Sequence, residues 1–391
     1  MEITKLRRWP SPDCWIAGAE LDAIPVHGKL DAISRPELRS MHRRRPAASA
    51  TVSCPFDEKS ASPPEFLEKL RGAFMARTPL PKAENYSRVL ILYPDGWVGE
   101  SEETQRMKEC FVKRGDECCI ATKNDPNVIA ILNPSYVLSM DASIPPPATV
   151  PCAVKWHFPR GQNIRHALSY GNIMYSGPDS SKLNGMARSS DRKIRTIRIY
   201  PTTMKSEFCA SPKRRLFYCG ANWDERRKRR YANLYKLLDE TDYFDIYGPD
   251  YAWKGKVKSY GGYIPNEAGA LQNTMARAGV ALVLHSSEHI TWKLPTLRIF
   301  QAAAASCVII SDRNPFVVDN FGDSVLYIDQ NASPEEIFRQ IDGHMRWILE
   351  HPQEAIELAR RAHAIFVEKF TLEGEIEKID QFFKELQSAA A

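Results

Sequence analysis

The stretch that most constrains the fold is residues 281–312, ALVLHSSEHITWKLPTLRIFQAAAASCVIISD. Its apolar run Ala281–Leu284 has the length of a buried parallel strand. A polar loop, His285–Trp292, follows, and we expect a helix from about Pro295, because proline is tolerated in a helix's first turn. The β-branched run Val308–Ile310 predicts a second strand. Such a βαβ unit binds its ligands beyond the carboxyl ends of the strands.

The first half of the chain alternates strand and helix patterns in the same way. Arg88–Tyr93 (RVLILY) predicts a buried strand, and Ser101–Arg114 predicts a helix. Further apolar runs predict strands at Glu117–Ala121, Tyr136–Met140, Ala153–His157, Ile173–Ser176 and Thr196–Tyr200. This alternation predicts an α/β fold with mainly parallel sheets. The intervening loop Pro94–Gly99 lacks a G-x-G-x-x-G pattern, so it gives no sign of a dinucleotide site.

Changes in composition divide the chain into four parts. Residues 1–79 are rich in proline and read as an amino-terminal extension, with one helical pattern at Pro64–Met75. We predict a first α/β domain at 80–210 and a second at 211–371. Residues 372–391 carry apolar side chains at helical spacing and predict a final amphipathic helix.

Bulk properties exclude several classes of protein. No apolar run reaches the roughly 18–20 residues that cross a bilayer, and Met1–Pro10 lacks the apolar core of a secretory signal. The 9 cysteines are scattered without a C-x-x-C, which indicates reduced thiols and argues against structural zinc. We therefore expect a cytoplasmic protein. The net charge of +5 is modest, and its basic clusters predict solvated faces or attraction to phosphorylated donors or an anionic membrane surface.

Three motifs of the second half resemble those of a known family. They are Arg298-Ile299-Phe300-Gln301-Ala302 with Ile310-Ser311-Asp312, the segment Arg215–Arg227, and Phe244–Gly248. Together, over about residues 213–385, they resemble the carboxyl-terminal domain of nucleotide-sugar glycosyltransferases of the two-Rossmann (GT-B) architecture, in its group 1 or CgeB-like branch. Two departures stand out. Gln301 stands where the family usually has an acidic residue, and it can accept hydrogen bonds only without charge assistance. Ser306 stands where the family usually has glycine.

The resemblance implies two Rossmann-like domains that face each other across a cleft. The first would hold the acceptor and the second the nucleotide-sugar, and the last helix would cross back to brace the first domain. The family works without a bound metal or other cofactor, because helix N-termini and basic side chains stabilise the leaving group. The sequence has no D-x-D-like pair at a predicted strand end, which agrees with metal independence.

Donor-site candidates follow the strands of the second domain. Arg298 is the best supported, because a cation near a helix start gains nothing from the helix dipole and an anionic partner would explain it. The full set expected to bind the nucleotide-sugar is Gly220, Ser286, Ser287, Lys293, Thr296, Arg298 and Gln301.

Four residues are candidates for catalysis. Asp250 follows the predicted strand Phe244–Tyr247 and is favoured as the catalytic carboxylate, with His285 near it. The alternative is an ordinary turn aspartate. Asp224 is a second carboxylate, although a helix cap explains it better. His157 could act as a general base, and a structural histidine is the more common alternative.

Acceptor contacts are expected after the strands of the first domain. The candidates are Asp95, Gly96, Trp97 and Lys155.

The predicted activity is transfer of a sugar onto a bacterial surface glycan, such as lipopolysaccharide O-antigen or capsule. The weaker resemblance to β-Kdo transferase modules implies a retaining enzyme that uses CMP-Kdo. The expected partners are the donor and a glycan or lipid-linked glycan acceptor, with peripheral membrane association.

Two other classes of function remain open. The Gln301 exchange permits a non-catalytic nucleotide- or glycan-binding protein on the same scaffold. Nucleic-acid binding through Arg226–Arg230 is disfavoured, because this cluster lacks interleaved aromatic side chains beyond Tyr231.

Overall fold

The computed structural model describes residues 86–94, 98–156, 164–177, 183, 185, 188, 194–209, 213–221, 229–265 and 269–389. All of them belong to one compact unit, Pro63–Ala391. The predicted extension 1–79, with its helix pattern at Pro64–Met75, lies outside the described residues. The described residues form two six-stranded sheets, and every strand pairing in them is parallel. The expected α/β fold class is confirmed.

The first sheet has the strand order β2-β1-β3-β4-β5-β6. Its strands are β1 (Arg88–Leu92), β2 (Glu117–Ala121), β3 (Tyr136–Ser139), β4 (Cys152–Lys155), β5 (Asn172–Tyr175) and β6 (Arg195–Arg198). The described helices between them are α1 (Val98–Arg114), α2 (Pro126–Leu132) and α3 (Ile164–Ser169). All six strands were predicted from apolar runs, with bounds within two residues.

The second sheet has the order β12-β11-β10-β7-β8-β9. Its strands are β7 (Arg215–Cys219), β8 (Phe244–Tyr247), β9 (Tyr260–Gly262), β10 (Gly279–Val283), β11 (Val308–Asp312) and β12 (Leu326–Ile328). Its helices are α4 (Arg229–Asp239), α5 (Asp250–Trp253), α6 (Ala270–Ala278), α7 (Ser287–Thr291), α8 (Leu297–Ala304) and α9 (Pro315–Phe321). The chain builds outward from β7 in one direction and from β10 in the other. The carboxyl ends of β7 and β10 therefore flank a topological switch point.

Apolar cores cover both faces of the second sheet. All five residues of β10 are buried, as expected of a central parallel strand. Leu216 and Tyr218 of β7 face one core, and Phe217 faces the other, because successive side chains of a strand alternate. The polar residues that follow these strands are held on a rigid edge.

The last three helices close the structure. They are α10 (Pro334–Glu350), α11 (Pro352–Lys369) and α12 (Leu372–Ser388). Helix α12 lies after the second sheet in sequence, yet Ile376, Ile379 and Phe383 belong to the apolar core of the first sheet, together with Val89 and Phe111. The last helix therefore braces the first sheet.

Polar contacts fix α12 in place. The Asp380 carboxylate accepts from the Tyr136 hydroxyl and pairs with Arg114 at 2.5 Å. The ring of Phe383 stacks on Tyr136 with centroids 4.2 Å apart. At the start of the helix, the Leu372 N–H donates to the Thr203 carbonyl at 2.8 Å. The two chain segments that connect the sheets therefore lie side by side.

Two local features differ from the sequence expectations. The helix expected from about Pro295 begins at Leu297, with Thr296 as its N-cap, and the preceding loop contains the short helix α7. Ser306, which stands where the resembling family has glycine, has a left-handed backbone with φ of 57°. Its hydroxyl accepts from the Cys209 N–H at 3.0 Å, which offsets part of the strain.

Phe383→Ala should lower the free energy of unfolding by about 3–5 kcal/mol, because a fully buried aromatic side chain is lost from the core under α12. Phe382 is its neighbour on the same helix and is only partly buried. Phe382→Ala should therefore cost less. Urea unfolding of both variants measures the difference, and equal losses would contradict the bracing role of α12.

Candidate active site

The site lies at the carboxyl edge of the second sheet. Strand β7 ends at Cys219 and is followed by Gly220, strand β8 is followed by Gly248, and strand β10 is followed by Leu284 and His285. Parallel strands aim these exits at the same side. The structure thus brings three of the predicted strand ends to one edge.

His285 and Asp312 form a buried pair at this edge. The Nδ1 atom of His285 lies 2.8 Å from Oδ1 of Asp312, and its main-chain N–H donates to Oδ2 at 2.6 Å. An ionised carboxylate can only accept, so the proton of this contact is on Nδ1. Both side chains are fully buried, and Nε2 of His285 has no hydrogen-bond partner among the described residues. Asp312 therefore orients the ring and leaves Nε2 for a ligand.

The loop after His285 is tied down at both ends. Ser286 caps α7: its hydroxyl accepts from the His289 N–H at 3.4 Å and lies 2.6 Å from Nδ1 of that residue. Ser286, which the sequence analysis expected to bind the nucleotide-sugar, is therefore engaged with its own helix. Ser287 and Lys293 are exposed, and Lys293 adopts a left-handed turn with φ of 54°. Leu294 is fully buried in the apolar core of the first sheet.

Helix α8 begins without a side-chain cap. Thr296 occupies the N-cap position, but its hydroxyl makes no capping bond and is buried with no partner in the part of the chain that the structure describes. The first N–H groups of a helix carry partial positive charge and attract anions. Arg298 lies in the first turn of this helix, so it adds a full positive charge beside them.

Gln301 connects the two sheets through hydrogen bonds. Its Oε1 accepts from Nη1 of Arg298 at 2.5 Å, and its Nε2 donates to Oε1 of Glu102, on α1 of the first sheet, at 3.1 Å. Glu102 in turn pairs with Arg106 at 2.5 Å. Gln301 is completely buried. It orients Arg298, and each end of its amide already makes one hydrogen bond within the protein.

Sequence reasoning missed Glu102 and Arg106. Both lie inside the predicted helix Ser101–Arg114 and have the spacing of an ordinary i, i+4 surface pair. The signal that could have found them is their position: this helix follows the first strand, where the resemblance implies a face toward the cleft.

Asp250 lies at the rim of the same edge. It is exposed and accepts from the Tyr260 hydroxyl at 2.7 Å and from Lys254 at 3.0 Å. The hydrogen bond from Tyr260, followed by that from Lys254, lowers the pKa of the Asp250 carboxyl. Strand β7 separates the strands that lead to Asp250 and His285, so strand spacing places them roughly 10 Å apart. No hydrogen bond between described residues joins the two.

The turn that leads to Asp250 depends on glycine. Gly248 has φ of 147°, and a Cβ there would lie 2.3 Å from the Gly220 carbonyl oxygen. That same carbonyl accepts from the indole N–H of Trp253 at 2.7 Å. Gly220 thus helps to fix the exit of β8 through its backbone.

The first-domain candidates divide into two groups. Lys155, predicted to contact the acceptor, forms an ion pair with Glu103 of α1. Its charge is therefore already balanced in the unliganded protein. Asp95, Gly96, Trp97 and His157 lie outside the described residues, as does Asp224 of the second domain.

The described residues contain neither a cluster of metal ligands nor a membrane-spanning helix. Within them, no group of three or more His, Cys, Asp or Glu side chains could hold a metal ion. None of the described helices is both long and apolar enough to cross a membrane.

Comparison with known proteins identifies the second half of the chain. Residues 212–381 match the family model described as glycosyl transferase-like. No sequence among the curated proteins matches the chain.

The chain is similar to several solved structures. Sucrose-phosphate synthase from Thermosynechococcus elongatus superposes with a TM-score of 0.52 at 11% identity, over 77% of this chain and 99% of that one. WaaG, a glycosyltransferase involved in lipopolysaccharide biosynthesis, gives 0.46 at 10% identity, over 75% and 99%. The pneumococcal O-GlcNAc transferase GtfA, solved with UDP and GlcNAc, gives 0.45 at 14% identity over 64% of this chain. The chain spans only 57% of the length of GtfA.

The two parallel six-stranded sheets show the two-domain α/β fold that the sequence resemblance implied, shared with sucrose-phosphate synthase. The match of residues 212–381 to the glycosyl transferase-like family supports the enzyme class expected from the sequence.

Proposed function

We propose that the protein transfers a sugar from a nucleotide-activated donor to a glycan, and that the donor's phosphate binds at the start of α8. The observation that carries this proposal is the uncapped helix N-terminus, with the unpartnered hydroxyl of Thr296 and the cation of Arg298 beside it. An arginine in the first turn of a helix is disfavoured by the helix dipole. A phosphate would offset that repulsion and accept the free N–H and O–H groups.

His285 and Asp250 are the proposed chemical groups. The free Nε2 of His285, held by Asp312, would exchange a hydrogen bond with the donor or the acceptor hydroxyl. Hydrogen bonds from Tyr260 and then from Lys254 lower the pKa of Asp250 and so favour its carboxylate form. In a retaining reaction its oxygen would bond to the anomeric carbon as the bond to the leaving phosphate breaks. The acceptor hydroxyl would then displace the carboxylate and lose its proton to a base.

The substrates are proposed more specifically as follows. The acceptor is a bacterial surface glycan, lipopolysaccharide O-antigen or capsule, and it is free or lipid-linked at the cytoplasmic face of the membrane. CMP-Kdo is one donor to test, because Gln301 replaces the family's acidic residue and indicates an unusual donor. The support for these substrates is the sequence resemblance.

Arg298→Ala should weaken nucleotide binding at least tenfold, equivalent to about 1.4 kcal/mol, because a charge-assisted contact to phosphate is lost. A thermal-shift screen of UDP, GDP, CMP, dTDP and ADP first identifies the nucleotide. A ligand at about 100 times its dissociation constant should stabilise the wild type by roughly 2.7 kcal/mol. Arg339→Ala is the matched control, since Arg339 is exposed on α10 and pairs only within its own helix. An affinity of Arg298→Ala within twofold of wild type would refute this donor site.

Transfer should persist in excess EDTA, because the proposed site stabilises the leaving group with Arg298 and the N–H groups of α8 rather than with a metal. The measurement is release of the nucleotide from the donor in the presence of acceptor. Activity that disappears with EDTA and returns with magnesium or manganese would contradict metal independence.

Asp250→Asn should reduce transfer by several orders of magnitude while nucleotide binding persists, because the amide keeps the shape and loses the nucleophile. Tyr260→Phe is the matched variant: it removes the hydrogen bond that lowers the pKa of Asp250. In that variant the acid limb of the pH–rate profile should move to higher pH, with substantial activity retained.

If Asp250→Asn keeps more than about a tenth of wild-type activity, Asp250 is not the nucleophile and serves only as a turn residue. Nucleotide binding without transfer or donor hydrolysis in the wild type would instead favour the non-catalytic binding protein.

A further inference from the structure

Arg106 is a buried cation with unfilled hydrogen-bonding capacity. It is 3% exposed and lies on α1, which packs on the first sheet. Its Nη1 pairs with Glu102 at 2.5 Å, but Nε and Nη2 are buried and have no partner among the described residues. Buried guanidinium groups are normally fully paired, because an unsatisfied charged donor is costly. Arg106 therefore has two buried donor nitrogens for which the described residues supply no acceptor.

The carboxylate of Glu102 lies between two arginines from different sheets. One of its oxygens, Oε1, accepts both from Arg106 and from Nε2 of Gln301, whose own Oε1 accepts from Arg298. The four side chains form a continuous hydrogen-bonded chain from α1 to α8. Glu102 thus pairs directly with Arg106 and is connected to Arg298 through the neutral amide of Gln301.

The two partners differ in their freedom to move. The side chain of Glu102 is 19% exposed and that of Arg106 is 3% exposed. The carboxylate can rotate toward solvent, whereas the guanidinium is enclosed. The guanidinium group of arginine presents parallel N–H groups that match two oxygens of a phosphate. Glu102 offers Arg106 a single oxygen, so a phosphate could accept from more of its N–H groups.

We propose that Arg106 is a second phosphate ligand, contributed from the first sheet, and that Glu102 occupies the place of the donor's phosphate until the donor binds. This inference rests on the proposed donor site at α8. The phosphate would take over the contact of Glu102 with Arg106 and fill the free N–H donors, while Glu102 turns toward solvent. The donor's phosphate would then be held between Arg106 and Arg298.

The exchange predicts opposite effects for two neighbouring substitutions. Arg106→Gln should weaken binding of UDP and of inorganic pyrophosphate at least tenfold, because a phosphate contact is lost. Glu102→Gln should tighten binding of the same two probes several-fold, because the competing negative charge is removed. A merely structural pair would lose affinity in both variants. Isothermal titration calorimetry at constant ionic strength measures both constants.

Two further variants keep the test decisive. Arg106→Lys retains the charge but not the planar fork, so it should fold if Arg106→Gln does not, and it should bind pyrophosphate less tightly than wild type. Glu109→Gln removes the same charge from the same helix, two turns after Glu102, and should leave affinity within twofold of wild type.

The outcomes separate this inference from the donor site itself. If Arg298→Ala abolishes pyrophosphate binding while the Arg106 variants stay within twofold and Glu102→Gln does not tighten it, the role of Arg106 is refuted and the donor site stands. If Arg298→Ala also has no effect, both are refuted. Tighter binding in Glu102→Gln together with weaker binding in either Arg106 variant supports the exchange.

Discussion

The burial of Leu294 determines how the rest of the site is arranged. This residue belongs to a loop of the second sheet, but its side chain lies in the apolar core of the first sheet and is fully enclosed. Its carbonyl accepts from Asn314, which follows β11, at 2.9 Å. Burying one leucine side chain contributes about 1.5–3 kcal/mol. The loop that begins at His285 is thus anchored to the first sheet through Leu294, so the carboxyl edge of the second sheet and the first sheet cannot separate without moving this loop.

Several buried polar atoms of the described residues have no hydrogen-bond partner, and some of them lie near the proposed donor site. They include the hydroxyl of Thr296, Nε2 of His285 and two nitrogens of Arg106, and a buried polar group without a partner lowers stability. Elsewhere the described core consists mainly of paired or apolar groups, such as the Asp380 contacts under α12. Functional sites are where a sequence departs from full hydrogen-bond satisfaction, because a ligand supplies the missing partners.

Much of the fold could be predicted because each element has a local cause. The apolar runs at Glu117–Ala121 and Phe244–Tyr247 gave the bounds of β2 and β8 without error. The position of His285 at the carboxyl edge of the sheet could be predicted too, because parallel topology alone brings the strand ends to one edge. Its pairing with Asp312 could not, because that contact depends on the register of two strands. The link from Glu102 to Gln301 was equally inaccessible, because it joins helices of different sheets. The left-handed backbone of Ser306 could not be predicted, because serine rarely adopts a positive φ.

The position of α12 has a consequence for how the chain is made. Because Ile376, Ile379 and Phe383 complete the apolar core of the first sheet, that core stays open on one side until the whole second sheet has been synthesised. Domains generally fold in order as they leave the ribosome, at about 5–20 residues per second. At that rate, one apolar face of the first sheet stays uncovered for roughly ten seconds or more before α12 is synthesised. An apolar face exposed in this way is prone to aggregation during synthesis.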